Sequence, residues 1–254
     1  MKILTIANQK GGVGKSTLTV HLAYAALEAG LRVLLVDMDK QGSLSLTFTA
    51  TKGAAPGLVA SKLFDEEPDG TLPEVITDKL AIIRADNGLL SIDKAENQVI
   101  RRPAHALRRF AQDFDLCLID TPPLLGVRLM AALAASDYVV TPINVGLYEL
   151  AGLADLVQTL HVVRTQGLNP RLKHIGILPM KTNNRSIDES KALAFLRERY
   201  ATAILPEILP ERAAVRKAVA RRIPVWVKTQ GESHLKAARE WRAACESILS
   251  KIPQ

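Results

Sequence analysis

The chain has 254 residues, 48% of them apolar, enough for one sizeable core and too apolar for a disordered chain. Aromatic residues make up only 4%, which argues against a base-stacking surface as the main device. Net charge is +7 and uneven: residues 1–210 carry 23 basic and 22 acidic side chains, residues 211–254 carry 10 and 4.

Short β-branched or aliphatic runs alternate with longer helical patterns along the whole chain, the signature of a parallel sheet covered by helices. The first strand, Ile3–Ala7, runs into Asn8-Gln-Lys-Gly-Gly-Val-Gly-Lys-Ser-Thr17, and a helix follows over Lys15–Ala29. That interruption leaves no charged-then-apolar export signal at the N-terminus, and no run of about 18 apolar residues occurs further on to span a bilayer. A glycine-rich strand-to-helix junction lets consecutive backbone N–H groups of Lys10, Gly11, Gly12, Val13 and Gly14 face an anion at a helix N-terminus. Lys15 is placed for the β- and γ-phosphates of a nucleotide, the Ser16 hydroxyl for Mg²⁺, and Thr17 for the α-phosphate. The strict G-x-x-x-x-G-K-[ST] pattern fails at Gln9, and Lys10-Gly11-Gly12 stands in its place.

The second strand, Arg32–Val36, ends in Asp37-Met-Asp39-Lys-Gln-Gly-Ser43, with carboxylates at the edge where α/β ligands bind. Thr51–Gly70, with Gly53, Pro56, Gly57, Pro68 and Gly70, reads as a surface excursion. A strand over Leu80–Arg84 and a helix over Gln98–Gln112 follow. The strand Asp115–Ile119 carries Cys117 and ends at Asp120-Thr-Pro-Pro123; Cys117 and Cys245 form no CxxC pair, so no disulfide framework, zinc site or cysteine-held cluster is expected, and a reducing cytosol fits. Then come a strand over Tyr138–Pro142, a helix over Leu147–Gln166, a strand over His174–Leu178, a helix over Ile187–Tyr200 and a strand over Ala203–Ile208. Glu211–Arg222, bounded by Pro210 and Pro224, reads as a helix carrying Arg212, Arg216, Lys217, Arg221 and Arg222 against one acid. Like charges at i,i+4 repel in such a helix and a phosphate backbone relieves them; a solvated basic face is the plainer reading of the same residues. The closing helix, Leu235–Ile252, puts Leu235, Ala238, Trp241, Cys245, Ile248, Leu249 and Ile252 at helical spacing, a stripe suited to docking on the sheet. The expected architecture is a single α/β P-loop NTPase domain over 1–254, with a mostly parallel twisted sheet of seven or eight strands, helices on both faces and a basic C-terminal region at 211–254.

The loop KGGVGKST, the segment D-M-D-K-Q-G-S and the segment D-L-C-L-I-D-T-P-P together resemble the ParA/MinD family of deviant Walker A ATPases. The resemblance covers nearly the whole chain. It implies that Lys10 reaches across an ATP-sandwiched homodimer, that Asp39 orients the attacking water with Asp37 supporting the metal end, and that Asp120 holds Mg²⁺. It places Met180, Pro210 and Glu211 on the adenine side. Lys40 departs from the family pattern, which has proline there. Within the ParA branch, the resemblance implies ATP-dependent, non-specific binding of double-stranded DNA through the C-terminal basic residues, a ParB-type partner, and a cytoplasmic, nucleoid-associated role in plasmid or chromosome partition. No operator-binding helix-turn-helix is expected ahead of the first strand, and no stable membrane association. A MinD-like membrane-cycling ATPase and a low-turnover nucleotide-binding adaptor are the alternative readings.

Overall fold

Eight strands and nine α-helices form among the described residues of this computed structural model, which are 1–49, 56–67, 70–182 and 186–253. The strands are β1 (Lys2–Ile6), β2 (Val33–Asp37), β3 (Glu74–Thr77), β4 (Leu80–Ile83), β5 (Leu116–Asp120), β6 (Tyr138–Asn144), β7 (Lys173–Thr182) and β8 (Leu209–Pro210). The helices are α1 (Lys15–Glu28), α2 (Ser43–Thr47), α3 (Leu89–Ile92), α4 (Arg102–Arg108), α5 (Val127–Ala135), α6 (Leu147–Thr165), α7 (Ile187–Arg199), α8 (Ala213–Ala220) and α9 (Gly231–Ser250).

All the strands join one sheet in the order β3-β4-β2-β5-β1-β6-β7-β8. Pairing is parallel except at one edge, where β3 runs antiparallel to β4. The central strands bury both faces, so alternate residues feed two cores. Leu4, Ile6, Leu35 and Leu118 point into a core shared with α1 and α9, while Ile3, Leu34, Val36, Cys117 and Ile119 point into one shared with α4 and α5. Cys117 and Cys245 are buried free thiols in these two different cores, and burial raises both thiol pKa values.

The expected α/β architecture is the one observed. Two of the sequence assignments are corrected. The strand expected over Ala203–Ile208 is reduced to a single bridge from Ile204 to Ile177, and the ladder forms later, at Leu209–Pro210. The helix expected over Gln98–Gln112 divides into a 3₁₀ turn at Asn97–Arg101 and the shorter α4, with Pro103 at the start of the α-helix as its missing N–H allows. Edge strand β3 and helices α2, α3 and α5 were not anticipated. Of the loose stretch Thr51–Gly70, residues 51–55 and 68–69 lie outside the described residues, and Ala60–Phe64 forms a 3₁₀ turn with Leu63 and Phe64 buried.

The closing helix docks as its stripe requires: Trp241, Cys245 and Ile248 are buried in the core beside α1, whereas Leu235 is exposed.

Candidate active site

β1 lies between β5 and β6, and the chain leaves it at the C-terminal edge of the sheet through the loop that ends at α1. The loop is anchored before it reaches its glycines. The Asn8 amide donates to the Pro142 carbonyl at 2.7 Å, and its oxygen accepts from the Lys10 backbone N–H at 2.8 Å. Gln9, at the position where the strict pattern has glycine, donates to the Thr159 hydroxyl of α6 at 3.0 Å. Gly14 caps α1 with φ 97°, and a Cβ there would meet Met180 Cε at 2.8 Å, so backbone conformation and close approach both require glycine. Val13 is buried, while Gly11 and Gly12 are exposed.

Lys15 is buried and its ammonium donates to the Lys10 carbonyl at 3.0 Å. Burial lowers its pKa, while the charges of Asp120 and Asp39 act the other way. The Lys10 side chain lies along α6, where a Cβ added to Gly152 would approach its Cε to 2.8 Å.

β2 and β5 end level, with Asp37 and Asp120 in register on adjacent strands. The two carboxylates are in different circumstances. Asp37 accepts from the Ser45 N–H and hydroxyl at 2.8 and 2.7 Å and from the Asp39 N–H at 3.1 Å. Burial still pushes its pKa up to about 6. Both Asp120 oxygens are buried and neither makes a hydrogen bond of good geometry; burial, followed by the Asp37 charge, raises its pKa to about 8, against the nearby Ser16 hydroxyl and Lys15 charge. A buried carboxylate so sparsely satisfied is costly unless a cation meets it. Its hard oxygens, with the Ser16 hydroxyl nearby in the loop, fit Mg²⁺. Asp37 is already committed to holding the segment through Ser45. Among the described residues no cluster of three or more His, Cys, Asp or Glu closes around a metal; Mg²⁺ is ordinarily held by one or two carboxylates, water and substrate phosphates.

A cavity of about 500 Å³ opens over the loop, lined by Gly11, Lys15, Ser16, Thr17 and Asp39, with Lys181 on its rim. The Lys181 ammonium donates to the Gly12 carbonyl. Pro123, in the turn after β5, closes on the loop 3.8 Å from where a Gly11 Cβ would be, and the Thr121 hydroxyl donates to the Ile6 carbonyl at 2.8 Å. A neighbouring cavity of about 440 Å³, largely apolar, shares Gly14 and Thr17 with the first. Met180, Pro210 and Glu211 line it, together with Val215 and Val219 of α8 and Trp241 of α9. Its size and lining suit an adenine ring.

The profile of the AAA domain family matches residues 1–174. Over 99% of this chain, Protein IncC of Escherichia coli is 37% identical, with 70% of its own length covered. The chromosome-partitioning ATPase Soj of Thermus thermophilus is 32% identical over 99% of this chain and 96% of its own. A plasmid partition protein of Borrelia burgdorferi B31 bound to AMPPNP superimposes with a TM-score of 0.77, at 25% identity and 99% coverage of both chains. The chain belongs to the ParA/MinD family of P-loop ATPases.

Lys15 and the carboxylates of Asp37, Asp39 and Asp120 converge at one sheet edge, while the Lys10 side chain lies along α6. The C-terminal basic residues, by contrast, do not form a single surface. Arg212 turns inward and pairs with Glu240 through two bonds of 2.7 Å. Arg216, Lys217, Arg221 and Arg222 are exposed. Arg216 pairs with Glu211 at 3.1 Å and also lines the apolar cavity, while the Arg222 guanidinium donates to Thr49 at 3.1 Å. Lys217 and Arg221 share a shallow cleft with Lys228 and His234.

Sequence reasoning missed Lys181, Ser45 and the placement of Trp241 in a cavity wall. A cation just after an apolar run, at the C-terminal edge of a parallel strand, was the available signal for Lys181.

Proposed function

We propose that this chain hydrolyses ATP, dimerises while ATP is bound, and in that state holds double-stranded DNA without sequence preference during plasmid or chromosome partition. The observation that carries this reading is a shared wall. The cavity joined to the phosphate loop through Gly14 and Thr17 is walled by α8, the helix that bears Arg216 and Lys217 and whose Val219 lines both cavities. An occupant of that cavity touches the same helix that presents basic side chains to solvent.

In this reading Lys15 and the loop N–H groups bind the phosphates, Thr17 lies beside the α-phosphate, and Met180, Pro210 and Glu211 flank the base. Ser16 and Asp120, with Asp37 behind them, hold Mg²⁺, which neutralises phosphate charge when bound. Asp39 positions the attacking water, and Lys10 leaves α6 to meet the nucleotide of a second copy. Among the described residues lining the loop cavity there is no arginine, so turnover is slow until a ParB-type partner stimulates it. The relatives named for partition, Soj and the Borrelia protein, support the same assignment.

A membrane-cycling role is disfavoured by α9, whose apolar stripe is already occupied by the core, and no helix among the described residues is long and apolar enough to cross a membrane.

Retention of random-sequence duplex DNA across a salt series, with ATP, ADP and no nucleotide, tests the proposal. Binding that needs ATP and falls steeply with salt supports it; ATP-independent binding, or none, overturns it.

A further inference from the structure

Arg128, the second residue of α5, lines neither cavity, yet its side chain is only 5% exposed. It follows the Thr121–Gly126 turn by one residue and reaches across to the segment that leaves β2. Its Nη1 donates to the Met38 carbonyl at 2.8 Å, while Nε and Nη2 form a two-bonded pair with Asp93 at 2.7 and 2.6 Å. The Asp93 pair fixes the guanidinium plane, and the third donor is thereby aimed.

The group it holds matters more than the contact itself. The Met38 carbonyl and the Asp39 N–H belong to one rigid peptide plane. Arg128 grips one end of that plane, and the Asp37 carboxylate accepts from the other at 3.1 Å. The preceding Met38 N–H is held by the Asp120 carbonyl at 2.9 Å. Beyond Asp39 the turn closes only on Asp39 itself, the Gln41 N–H donating to its carboxylate at 3.1 Å and the Gly42 N–H to its carbonyl at 2.8 Å, so these contacts move with it. Lys40 and Gln41 are exposed, and no proline fixes a φ angle between Asp37 and Thr47. The direction in which Asp39 leaves the strand is therefore set by the peptide that Arg128 holds.

We propose that Arg128 is a positioning residue for ATP hydrolysis, holding the Met38–Asp39 peptide so that the Asp39 carboxylate faces the loop cavity. Without it the Met38 carbonyl is a buried acceptor with no partner and the peptide turns to find one. The inference rests on the ATPase reading for its effect on turnover, but not for its effect on the backbone.

The test compares wild type with Arg128→Leu, Arg128→Lys and the milder Asp93→Asn. Two readouts are used: steady-state Mg²⁺·ATP turnover, and amide hydrogen exchange of residues 39–42 without nucleotide. Arg128→Leu is expected to lower kcat by about 10- to 100-fold, the scale of a small misplacement of a reacting group, with KM for ATP changed less than about 2-fold because the phosphate loop is untouched. Arg128→Lys, which can still donate to Met38, recovers part of the loss. Exchange at 39–42 is expected to accelerate by about 10-fold or more while β1 and α1 stay protected. Adding Asp93→Asn to Arg128→Leu has no further effect on kcat, since both act through one contact. An unchanged exchange rate at 39–42 overturns the proposal whether or not the protein turns over ATP. Acceleration spread evenly over the sheet, or a KM rise matching the kcat loss, also overturns it, because the residue is then merely structural. A wild type that fails to hydrolyse ATP defeats the ATPase reading alone, and exchange still decides the role of Arg128.

Discussion

The two loop lysines differ in what surrounds them, and their variants separate two steps of the proposed cycle. Lys15 is buried beside Asp120 and Asp39, with its ammonium on a loop carbonyl. Replacing it with alanine removes the cation from the phosphate cradle and leaves the carboxylates to repel the nucleotide. The expected loss of ATP affinity is roughly 100-fold, the scale of a charge-assisted bond to phosphate, read by equilibrium binding of a fluorescent ATP analogue. Lys10 instead lies along α6 over Gly152, away from its own cavity. Lys10→Ala is therefore expected to change ATP affinity by no more than a few-fold while abolishing the ATP-dependent dimer in sedimentation velocity. A variant that dimerises normally with ATP would rule out the lysine-bridged sandwich.

At the scale of elements, α8 divides its cations between structure and surface. Val215 and Ala218 face the core, and Arg212, just ahead of the helix, is tied to Glu240 on α9. Arg212→Ala breaks a mostly buried pair and is expected to cost about 1–3 kcal/mol in urea unfolding, with DNA retention reduced only through stability. Lys217 and Arg221 are exposed and line neither nucleotide cavity. Lys217→Glu with Arg221→Glu is expected to leave ATP affinity within about 2-fold, weaken DNA binding uniformly across sequences, and lower the magnitude of the salt slope by about 2. An unchanged slope would move the DNA surface elsewhere. The helix itself was legible from its alanine-rich run between two prolines, as were the buried parallel strands from their continuous aliphatic runs. Other elements were hidden for physical reasons. β3 is an edge strand whose Val75 is exposed, so it lacks the apolar run of a buried one. α5 is only nine residues long and apolar at every position but Arg128, so it reads as a continuous apolar run, although the parallel strands β5 and β6 on either side of it demand a crossover. The run Ala203–Ile208 has strand composition, but β7 offers it only one bridge before the ladder resumes at Leu209.

Across the whole molecule, what could be read in advance was the chemistry that motif spacing fixes locally: the loop, and the aspartates that end β2 and β5. Lys181 and Arg128 escaped because their partners lie 169 and 90 residues away in the chain, and no local pattern encodes such pairs. His21 is another of these long-range joints, and it ties the C-terminal region to the phosphate-loop helix. Fully buried in α1, its Nδ1 donates to the Thr17 carbonyl at 2.8 Å and its Nε2 accepts from the Val225 N–H at 3.2 Å. The ring packs against Trp241 at 4.3 Å and Trp226 at 5.5 Å between centroids. Both nitrogens are thus used by the neutral form, and burial pushes the pKa down to about 4. The unfolded chain takes up this proton as pH falls through about 6.5 and the folded chain refuses it until about 4. The stability contributed by neutral His21 is therefore complete above pH 6.5 and lost progressively between 6.5 and 4, by roughly 3 kcal/mol for a shift of this size. His174, with its pKa also lowered to about 4 by burial and then by Arg164, adds in the same direction. Asp37 and Asp120 oppose it, because burial raises their folded pKa values and the folded chain takes up their protons first. Comparing wild type with His21→Gln in urea titrations from pH 7 to 4 removes these shared contributions. The stability advantage of wild type over His21→Gln is expected to shrink by roughly 3 kcal/mol across that range; an advantage independent of pH would mean that the folded protein accepts the proton and that the Val225 joint survives a charged ring.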